Sequence, residues 1–487
     1  MLLAPQVPTV AMPKRPDPTT LGTASRLGSN AATPSGGPGL AVFLLTGLGV
    51  FLVSLDVSVA NAVLPAIGRS FGRPPRTELS WVITAYAITF AAFLVPAGRV
   101  ADRAGRRRVF MGGLVTFAAG SAICGAAPSL ALLLCGRIVQ AVGAATLQPA
   151  SLGLLVEAVG VRARATYVAR WGGMGAVGIG IGPSLGGFIT STSNWRLVSL
   201  VNLPLVAVAL YSAPRLLQET ERHPGRRLPD PLGAFAFALA ATSLTLGVSE
   251  GVTWGWFGAR TLSSLGGGLA LGAVFVHRCR VSTDPMLNLD LLRQRQFALV
   301  TLVTVFYSAA FFGTLFTFML FLTGPWHLSL TRAGLAITPM PVAALPLTFL
   351  VGSLSDRTGF RRLMVGGTLC MTIGLSLSAF LIRGHRFEAG WLALAAVIGL
   401  GVGLCYPLLS AAAVEGQPLT NLAAATAVNQ CARQIGAALG VAGTVATLGT
   451  QSVSTVARFH EAWLLCGACT AAAAVAALGI STVRQPN

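Results

Sequence analysis

The sequence GRVADRAGRRR, from Gly98 to Arg108, is a short basic loop between two long apolar runs. A second copy, GSLSDRTGFRR, begins at Gly352 and repeats the first glycine, the aspartate, the arginine, the second glycine and the closing basic pair. Positions 98, 102 and 105 correspond to 352, 356 and 359, a constant offset of 254 residues. Two unrelated loops on one side of a membrane would share arginines, but not this glycine–aspartate–glycine frame. The offset therefore predicts two copies of one supersecondary unit.

Composition places the chain in a membrane. It has 487 residues, of which 54% are hydrophobic and only 10% are charged, and its mean hydropathy is +0.72. Such a chain cannot cover itself with a normal water-soluble surface. The formal net charge of +19 would elsewhere favour a nucleic-acid partner. Here the basic residues lie in short loops between apolar runs, so they indicate orientation in a bilayer and no nucleic-acid partner.

Fourteen apolar segments of about 20 residues follow one another, each long enough to cross the hydrocarbon as a helix. Residues 1–38 precede them, are rich in Pro, Gly, Ser and Thr, and are predicted to form a disordered cytoplasmic tail. The predicted spans are residues 39–59, 80–100, 109–128, 130–156, 167–191, 195–214, 232–251, 259–277, 296–323, 331–354, 363–382, 390–414, 424–448 and 461–480.

The position of the two loop copies predicts how these spans are grouped. The first copy follows the second span and the second copy follows the tenth, so residues 39–214 and 296–480 are expected to form two six-helix bundles. Residues 215–295 are then a linker with two inserted transmembrane helices, and 481–487 a second cytoplasmic tail. Basic residues are concentrated on the side of the repeated loop, which predicts a cell (plasma or inner) membrane protein with both termini in the cytoplasm. The predicted fold class is an all-α membrane protein of fourteen transmembrane helices.

Three further stretches stand in order within the predicted spans: LDVSVANAVLP from Leu55, RIVQAVGAA from Arg137 and GIGIGPSLGG from Gly178. They are similar to the first-helix signature, motif B and motif C of the major facilitator superfamily, and the loop at Gly98 is similar to its motif A. Ala141 stands where motif B usually has Gly. The six-two-six helix plan resembles the fourteen-helix drug:proton antiporter branch of that superfamily. The resemblance implies the major facilitator fold, with two six-helix bundles plus two inserted helices.

The resemblance also assigns residues of the repeated loop to gating. It implies that Asp102 and the arginines form a charge network that ties the two halves together in one access state. The alternative, a loop that only fixes topology, would need the arginines but not Asp102. The predicted gating residues are Gly98, Asp102, Arg103, Gly105, Arg106, Gly352, Asp356, Arg357 and Gly359.

Motif C is predicted to be a packing surface without chemistry of its own. Glycines four residues apart share one helical face and permit close helix approach, and the proline bends the run. The resemblance implies that this packing seals the interface between the halves of an exporter. The predicted packing residues are Gly178, Gly182, Pro183, Gly186 and Gly187.

Asp56 and Arg137 are the predicted proton-coupling residues. Asp56 is the only acidic residue well inside a predicted span, where a carboxylate is costly unless it serves a function such as proton binding and release. The first-helix signature, by resemblance, carries an acid at this position. The alternative is an aspartate held ionised by an arginine or by backbone donors. Arg137 cannot practically deprotonate, so we expect it to hold a neighbouring acid or a backbone group.

The sequence excludes several sources of energy and chemistry. No stretch has the GxxxxGK[ST] pattern of a nucleotide-binding loop, and the single lysine, Lys14, lies in the tail, which excludes ATP-driven transport by this chain alone. No His/Cys metal constellation or nucleophile motif stands out, so neither a metal, a cofactor nor an enzymatic activity is expected. The energy is expected to come from an ion gradient, most simply of protons.

The leading hypothesis is a proton-coupled antiporter that exports amphipathic drugs or similar small hydrophobic compounds by alternating access. Its expected partners are the small-molecule substrate, protons and the lipid bilayer, and the fold needs only one chain. A transporter of a specific metabolite, nutrient or lipid on the same fold is one alternative, and a non-transporting membrane sensor is another. A phenylalanine stripe in the ninth span is more often core or lipid-facing than a binding wall, and Arg433 has a structural role as an alternative. The candidates for the substrate cavity are Phe312, Phe316, Asn429 and Arg433.

Overall fold

The computed structural model describes residues 38–159, 164–219, 230–282, 285, 289–383, 390–417, 422–449 and 455–481. Most of the two predicted tails and parts of the linker lie outside the described residues. The part of the chain that the structure describes is built of α-helices without a strand. Its helices are α1 (Pro38–Ser70), α2 (Arg76–Ala104), α3 (Arg106–Ala126), α4 (Leu130–Ala158), α5 (Arg164–Thr192), α6 (Arg196–Leu200), α7 (Asn202–Leu216), α8 (Pro231–Trp254), α9 (Ala259–Val281), α10 (Asp290–Arg293), α11 (Arg295–Thr323), α12 (Leu330–Ile337), α13 (Pro339–Thr358), α14 (Phe360–Leu381), α15 (Gly390–Val414), α16 (Leu422–Leu448) and α17 (Val456–Leu478).

Thirteen of the helical segments within the described residues are long and apolar enough to cross a membrane. The chain is therefore a multi-pass, all-α membrane protein. The helix α16 occupies the place of the predicted span 424–448 but is not among the thirteen. Its middle carries Asn429, Gln430, Arg433 and Gln434, which lower its hydropathy. The count of fourteen spans stays a prediction.

Two predicted spans are interrupted. Residues 195–214 form α6 and α7 with Val201 between them, and residues 331–354 form α12 and α13 with Thr338 between them. Pro339 explains the second interruption, because proline has no N–H to donate to the carbonyl of Leu335. The N–H of Thr338 donates to that carbonyl instead, at 3.1 Å, and tightens the turn.

The same helix pairs recur in the two parts of the chain. In the first part, α1 packs against α5, α3 against α4, and α2 against α4. In the second part, α11 packs against α16, α14 against α15, and α13 against α15. When the helices of each part are numbered from its copy of the loop, these pairs correspond one to one. This is expected of a duplicated unit.

Two seams join these parts. The helix α2 packs against α16, and α5 packs against α12 and α13. We call the end of the bundle with the repeated loops the loop end, and the opposite end the far end. At the far end, Arg76 of α2 donates to the carbonyls of Leu448 and Gly449, at 3.5 and 3.4 Å. The hairpin of α8 and α9 packs through α8 on both α2 and α16, so it lies along the first seam.

Candidate functional site

Asp56 and Arg137 meet inside the first part of the chain. Nη1 of Arg137 lies 2.5 Å from Oδ2 of Asp56, and the two residues are 4% and 8% exposed, respectively. Asp56 lies in the middle of α1, and Arg137 lies about two turns into α4, which packs against α1. The carboxylate is thus not isolated, and its charge is balanced by a cation that cannot deprotonate.

Two neutral side chains complete the hydrogen bonds of this pair, and the hydroxyl of Ser121 accepts from both of them. Nε2 of Gln140, one turn along α4 from Arg137, donates to Oδ1 of Asp56 at 2.7 Å and to Ser121 at 2.8 Å. Nδ2 of Asn202 at the start of α7 donates to the same Oδ1 at 3.1 Å and to Ser121 at 3.3 Å. Side chains of α4 and α7 therefore bind the carboxylate of α1, and Ser121 of α3 joins the two amides.

A fifth helix, α2, holds the guanidinium of Arg137. Its Nε donates to the carbonyl of Val82 at 3.0 Å, and its Nη1 also donates to Gln140 at 2.7 Å. The guanidinium carbon lies 4.3 Å from the centre of the Tyr86 ring, a cation–π contact. The Tyr86 hydroxyl is buried and has no hydrogen-bond partner among the described residues.

Sequence reasoning missed Ser121 and Tyr86. Gln140 stands in the stretch that is similar to motif B, but Ser121 lies in an ordinary apolar run of α3. A hydroxyl inside a span is a weak signal because serine satisfies itself within its own helix. Tyr86 could have been suspected from the sequence only because a tyrosine in the middle of a span brings a polar hydroxyl into an apolar region.

Each copy of the repeated loop turns at its second glycine. Gly105 and Gly359 have φ values of 102° and 78°, a region that favours glycine. Gly98 is different: a Cβ there would lie 3.6 Å from that of Pro149, which is ordinary contact. Gly352 is half-buried. The turns thus need glycine at the second position of each copy.

The first copy holds an ion-pair chain at the loop end. Oδ1 of Asp102 accepts from Nε and Nη2 of Arg106, at 3.3 and 3.0 Å. Nη1 of the same arginine donates to Glu157 at the end of α4, at 2.6 Å. Arg107 and Arg108 approach Glu219, after α7, at 3.7 and 3.4 Å.

These partners of the three arginines all belong to the first part of the chain, so the tie between halves stays a prediction. Arg103 and Arg357 are exposed to solvent. The side chain of Asp356 lies outside the described residues. In this arrangement the loop fastens α2, α3, α4 and the end of α7 to one another.

Motif C lies on α5 between two neighbours. A Cβ at Gly178 would lie 2.6 Å from the carbonyl oxygen of Phe51, and one at Gly182 would lie 2.5 Å from Cβ of Ser58. Gly186 faces the same helix, α1, at Val59. On the opposite face, a Cβ at Gly187 would lie 2.5 Å from the carbonyl oxygen of Leu330 in α12. The glycines therefore permit close approach on both sides of α5.

Pro183 bends this helix and leaves one carbonyl without a backbone donor in its own helix. Proline cannot donate to the carbonyl four residues earlier, which is that of Ile179. The hydroxyl of Ser58 in α1 donates to this oxygen at 2.6 Å. One residue after the proline, the hydroxyls of Ser184 and Thr338 lie 2.6 Å apart across the seam to the second part.

A small apolar cavity lies between α5, α11, α13 and α15. Its volume is about 30 Å³, the size of one or two water molecules and far below that of a drug-sized pocket. Phe311 and Leu315 of α11 line it, together with Pro183. Phe312 and Phe316, predicted for the substrate cavity, are buried in the core of the second part. Their place in a substrate cavity stays a prediction.

Arg433 and Asn429 lie one turn apart on α16, facing α11 and α15. Nη2 of Arg433 donates to Ser410 at 3.0 Å, and its guanidinium carbon lies 4.3 Å from the centre of the Tyr406 ring. Nδ2 of Asn429 donates to Thr304 at 2.8 Å. A second buried arginine is thus stacked on a tyrosine at the same distance as Arg137.

The sequence matches the family model of the Major Facilitator Superfamily over residues 46–276 and 300–487. The chain belongs to the Major Facilitator Superfamily. A member of this superfamily is a membrane transporter, which agrees with the apolar helices and with two similarly packed parts.

Named relatives of this superfamily member come from several bacteria. The multidrug resistance protein Stp of Mycobacterium tuberculosis is 33% identical over 406 residues, which cover 83% of this chain and 74% of that protein. The multidrug efflux pump LfrA of Mycolicibacterium smegmatis is 31% identical over 406 residues, covering 83% and 79%. The methylenomycin A resistance protein of Bacillus subtilis is 29% identical over 409 residues, covering 83% and 86%.

A solved structure shares the fold. The crystal structure of the human organic anion transporter MFSD10 (TETRAN) superimposes with a TM-score of 0.60 and covers 89% of this chain and 100% of that one. The two sequences are only 15% identical. The likeness therefore concerns the major facilitator fold alone.

Proposed function

We propose that the protein is a proton-coupled antiporter that exports amphipathic drugs or similar small hydrophobic compounds. The similarity to proteins named for multidrug efflux and antibiotic resistance supports the export of drugs. The observation that carries the coupling is the buried Asp56, bonded to three side chains of two other helices, α4 and α7. The protein works as a single chain in the cell membrane with both termini in the cytoplasm, where basic residues are concentrated.

Residues 39–214 and 296–480 form the two moving halves in this proposal, and the inserted pair lies in the linker 215–295. Proton uptake at Asp56 removes its negative charge and so weakens the ion pair with Arg137. Arg137 then keeps Val82, Gln140 and the Tyr86 ring as partners. The neutral carboxyl group binds Arg137 and Gln140 of α4 and Asn202 of α7 less strongly. Protonation therefore shifts the equilibrium between the two arrangements of the helices around α1.

The cavity beside α5 is too small for a drug. Substrate binding therefore requires the halves to separate along the seams, with α5 moving relative to α12 and α13. The far-end contacts, Arg76 with α16 and Ser184 with Thr338, then break during the opening at that end. The loop-end ion pairs hold the first half together while it moves.

The test is the coupling of substrate to protons in Asp56→Asn. We expect this variant to bind a fluorescent amphipathic dye but to lose pH-gradient-driven export from vesicles. Addition of the dye to the purified variant should release no protons, whereas the wild type releases them. Glu78→Gln is the matched control, since Glu78 is an exposed acid at the far end of α2. Undiminished dye-induced proton release from Asp56→Asn would remove this residue from the mechanism.

A further inference from the structure

Arg433 is a buried cation without a carboxylate. It is 6% exposed and lies in the middle of α16, and no Asp or Glu among the described residues pairs with it. Its Nε is buried and has no hydrogen-bond acceptor among those residues. The described helices of the second half carry no acid in their middle either, since Asp356, Glu415 and Glu461 stand near helix ends.

Arg137 and Arg433 have similar surroundings, except that Arg433 lacks a carboxylate partner. Both guanidinium groups lie 4.3 Å from a tyrosine ring, and both donate to neutral side chains. Only Arg137 also binds a carboxylate, at 2.5 Å. An arginine keeps its charge at any physiological pH, so a buried unpaired one is costly unless an anion reaches it.

The neighbours of Arg433 suit an anion attached to an aromatic body. The Tyr307 hydroxyl, which can donate to an anion, is fully buried and has no partner among the described residues. Tyr307 stacks on Phe311 with ring centres 6.4 Å apart, and Phe311 lies 5.5 Å from Tyr406. Phe311 also lines the cavity beside α5, so this aromatic cluster extends from Arg433 to that cavity.

From this geometry we infer that Arg433 binds the carboxylate of an amphipathic, aromatic substrate, with Tyr307 as a second donor. The inference rests on the proposed export function and adds the charge class of the substrate. The carboxylate reaches the guanidinium when the halves separate and Phe311 moves aside. The aromatic body of the substrate then packs on Phe311 and Tyr406. A guanidinium suits this role because its fork matches the geometry of a carboxylate.

The experiment measures binding of two probes to the purified full-length protein. One probe is a xanthene dye with a free benzoate carboxylate, and the other is its methyl ester, in which a methyl group replaces that negative charge. The wild type is expected to bind the carboxylate dye about tenfold or more tightly than the ester, the size of one charge-assisted hydrogen bond. Arg433→Gln should abolish this preference, and Arg433→Lys should restore part of it.

Ester binding reports whether each variant is folded. Arg458→Gln is the matched control, because Arg458 is an exposed arginine of the same half and pairs with Glu461 on the surface. It should leave the preference unchanged. A wild type without preference for the carboxylate dye, or a preference that survives in Arg433→Gln, overturns the inference. Loss of both dyes in Arg433→Gln and Arg433→Lys alike also overturns it, since that result indicates a structural role.

Vesicle export separates this inference from the proposed function. If the wild type exports neither dye along a proton gradient although it binds them, the export proposal fails for these probes and the binding preference still decides the role of Arg433. If both dyes are exported at rates that Arg433→Gln changes equally, export stands and the carboxylate assignment fails. Displacement of the carboxylate dye by chloride, without a preference over the ester, would identify an inorganic-anion site and contradict the inference.

Discussion

Ser58 illustrates how a single hydroxyl repairs a helix that proline has interrupted. Pro183 removes the donor for the Ile179 carbonyl, and no water is available in hydrocarbon to replace it. The hydroxyl of Ser58 supplies the bond at 2.6 Å from α1. The bend of α5 and the packing of α1 therefore depend on each other.

We expect Ser58→Ala to lower the free energy of unfolding by about 1–3 kcal/mol, because a buried carbonyl loses its partner. The measurement is the thermal midpoint of the purified protein. In Pro183→Ala, the backbone N–H of residue 183 can again donate to the Ile179 carbonyl. Ser58→Ala should therefore lower the free energy of unfolding much less in that background, a difference that a double-mutant cycle detects. Thr46→Val is the control, since Thr46 bonds to Val42 within its own helix. If Ser58→Ala lowered the free energy of unfolding equally in the wild type and in Pro183→Ala, the hydrogen bond of Ser58 to the Ile179 carbonyl would not be the cause.

Sequence reasoning found the charged residues of the candidate site and missed most of their neutral partners. Asp56 and Arg137 are conspicuous because charges inside a span are rare and costly. That they bind each other depends on how α1 and α4 cross, which periodicity does not specify. Ser121 gives only a weak signal, because the approach of α3 is what brings its hydroxyl to Gln140 and Asn202.

The hairpin of α8 and α9 is fastened at one end by an ion pair. Oδ1 and Oδ2 of Asp230, just before α8, accept from Nη2 and Nε of Arg278 at 2.9 and 2.6 Å. Asp230 also caps α8 by accepting from the N–H of Leu232 at 3.1 Å. The hydrogen bonds from Arg278 hold the pKa of the Asp230 carboxyl below its ordinary value.

A carboxyl with a lowered pKa in the folded protein stabilises the fold above its ordinary pKa, and the stabilisation disappears as the pH falls through the lowered value. Asp230→Asn should therefore reduce the thermal midpoint at neutral pH, and the difference from the wild type should vanish in acid. Asparagine remains a good helix cap, so the variant isolates the ion pair. Glu461→Gln, in an exposed pair, should change little at any pH. A pH-independent effect of Asp230→Asn would rule out this linkage.

At the scale of helices, composition and spacing predicted the order and place of the spans well, because about 20 apolar residues suffice to identify one. The breaks in α6–α7 and α12–α13 were not predicted. Prolines are common in membrane helices, and whether Pro339 bends a span or ends a helix depends on the neighbours that satisfy its freed carbonyl. The hydropathy of α16 is reduced partly by Asn429 and Arg433, which bond to Thr304 of α11 and Ser410 of α15.

The whole molecule is joined along two equivalent seams. The loop repeat predicts that α2 corresponds to α13 and that α5 corresponds to α16. Each seam, α2 with α16 and α13 with α5, then joins the second helix of one half to the fifth helix of the other. A rocking motion of one half against the other can therefore open both seams at one end together. The hairpin of α8 and α9 lies beside only the first seam.

A disulfide across the second seam should hold the far end closed. The hydroxyls of Ser184 and Thr338 are 2.6 Å apart, which places their Cβ atoms within reach of an S–S bond. We expect the Ser184→Cys/Thr338→Cys double variant to lose export after mild oxidation and to regain it after reduction. Each single variant, oxidised alone, is the control. Normal export by the cross-linked double variant would show that this seam does not move.

The glycines of α5 limit the variation that this helix tolerates, in a different way on each side. Next to α1, an added methyl at Gly178 or Gly182 meets atoms of the same half. Next to the other half, one at Gly180 or Gly187 meets Pro341 or Leu330. A saturation library of α5, sorted first for protein level and then for drug resistance of the cells, should divide accordingly. Substitutions towards α1 reduce the amount of protein, whereas those towards α12 and α13 leave the amount intact and abolish resistance.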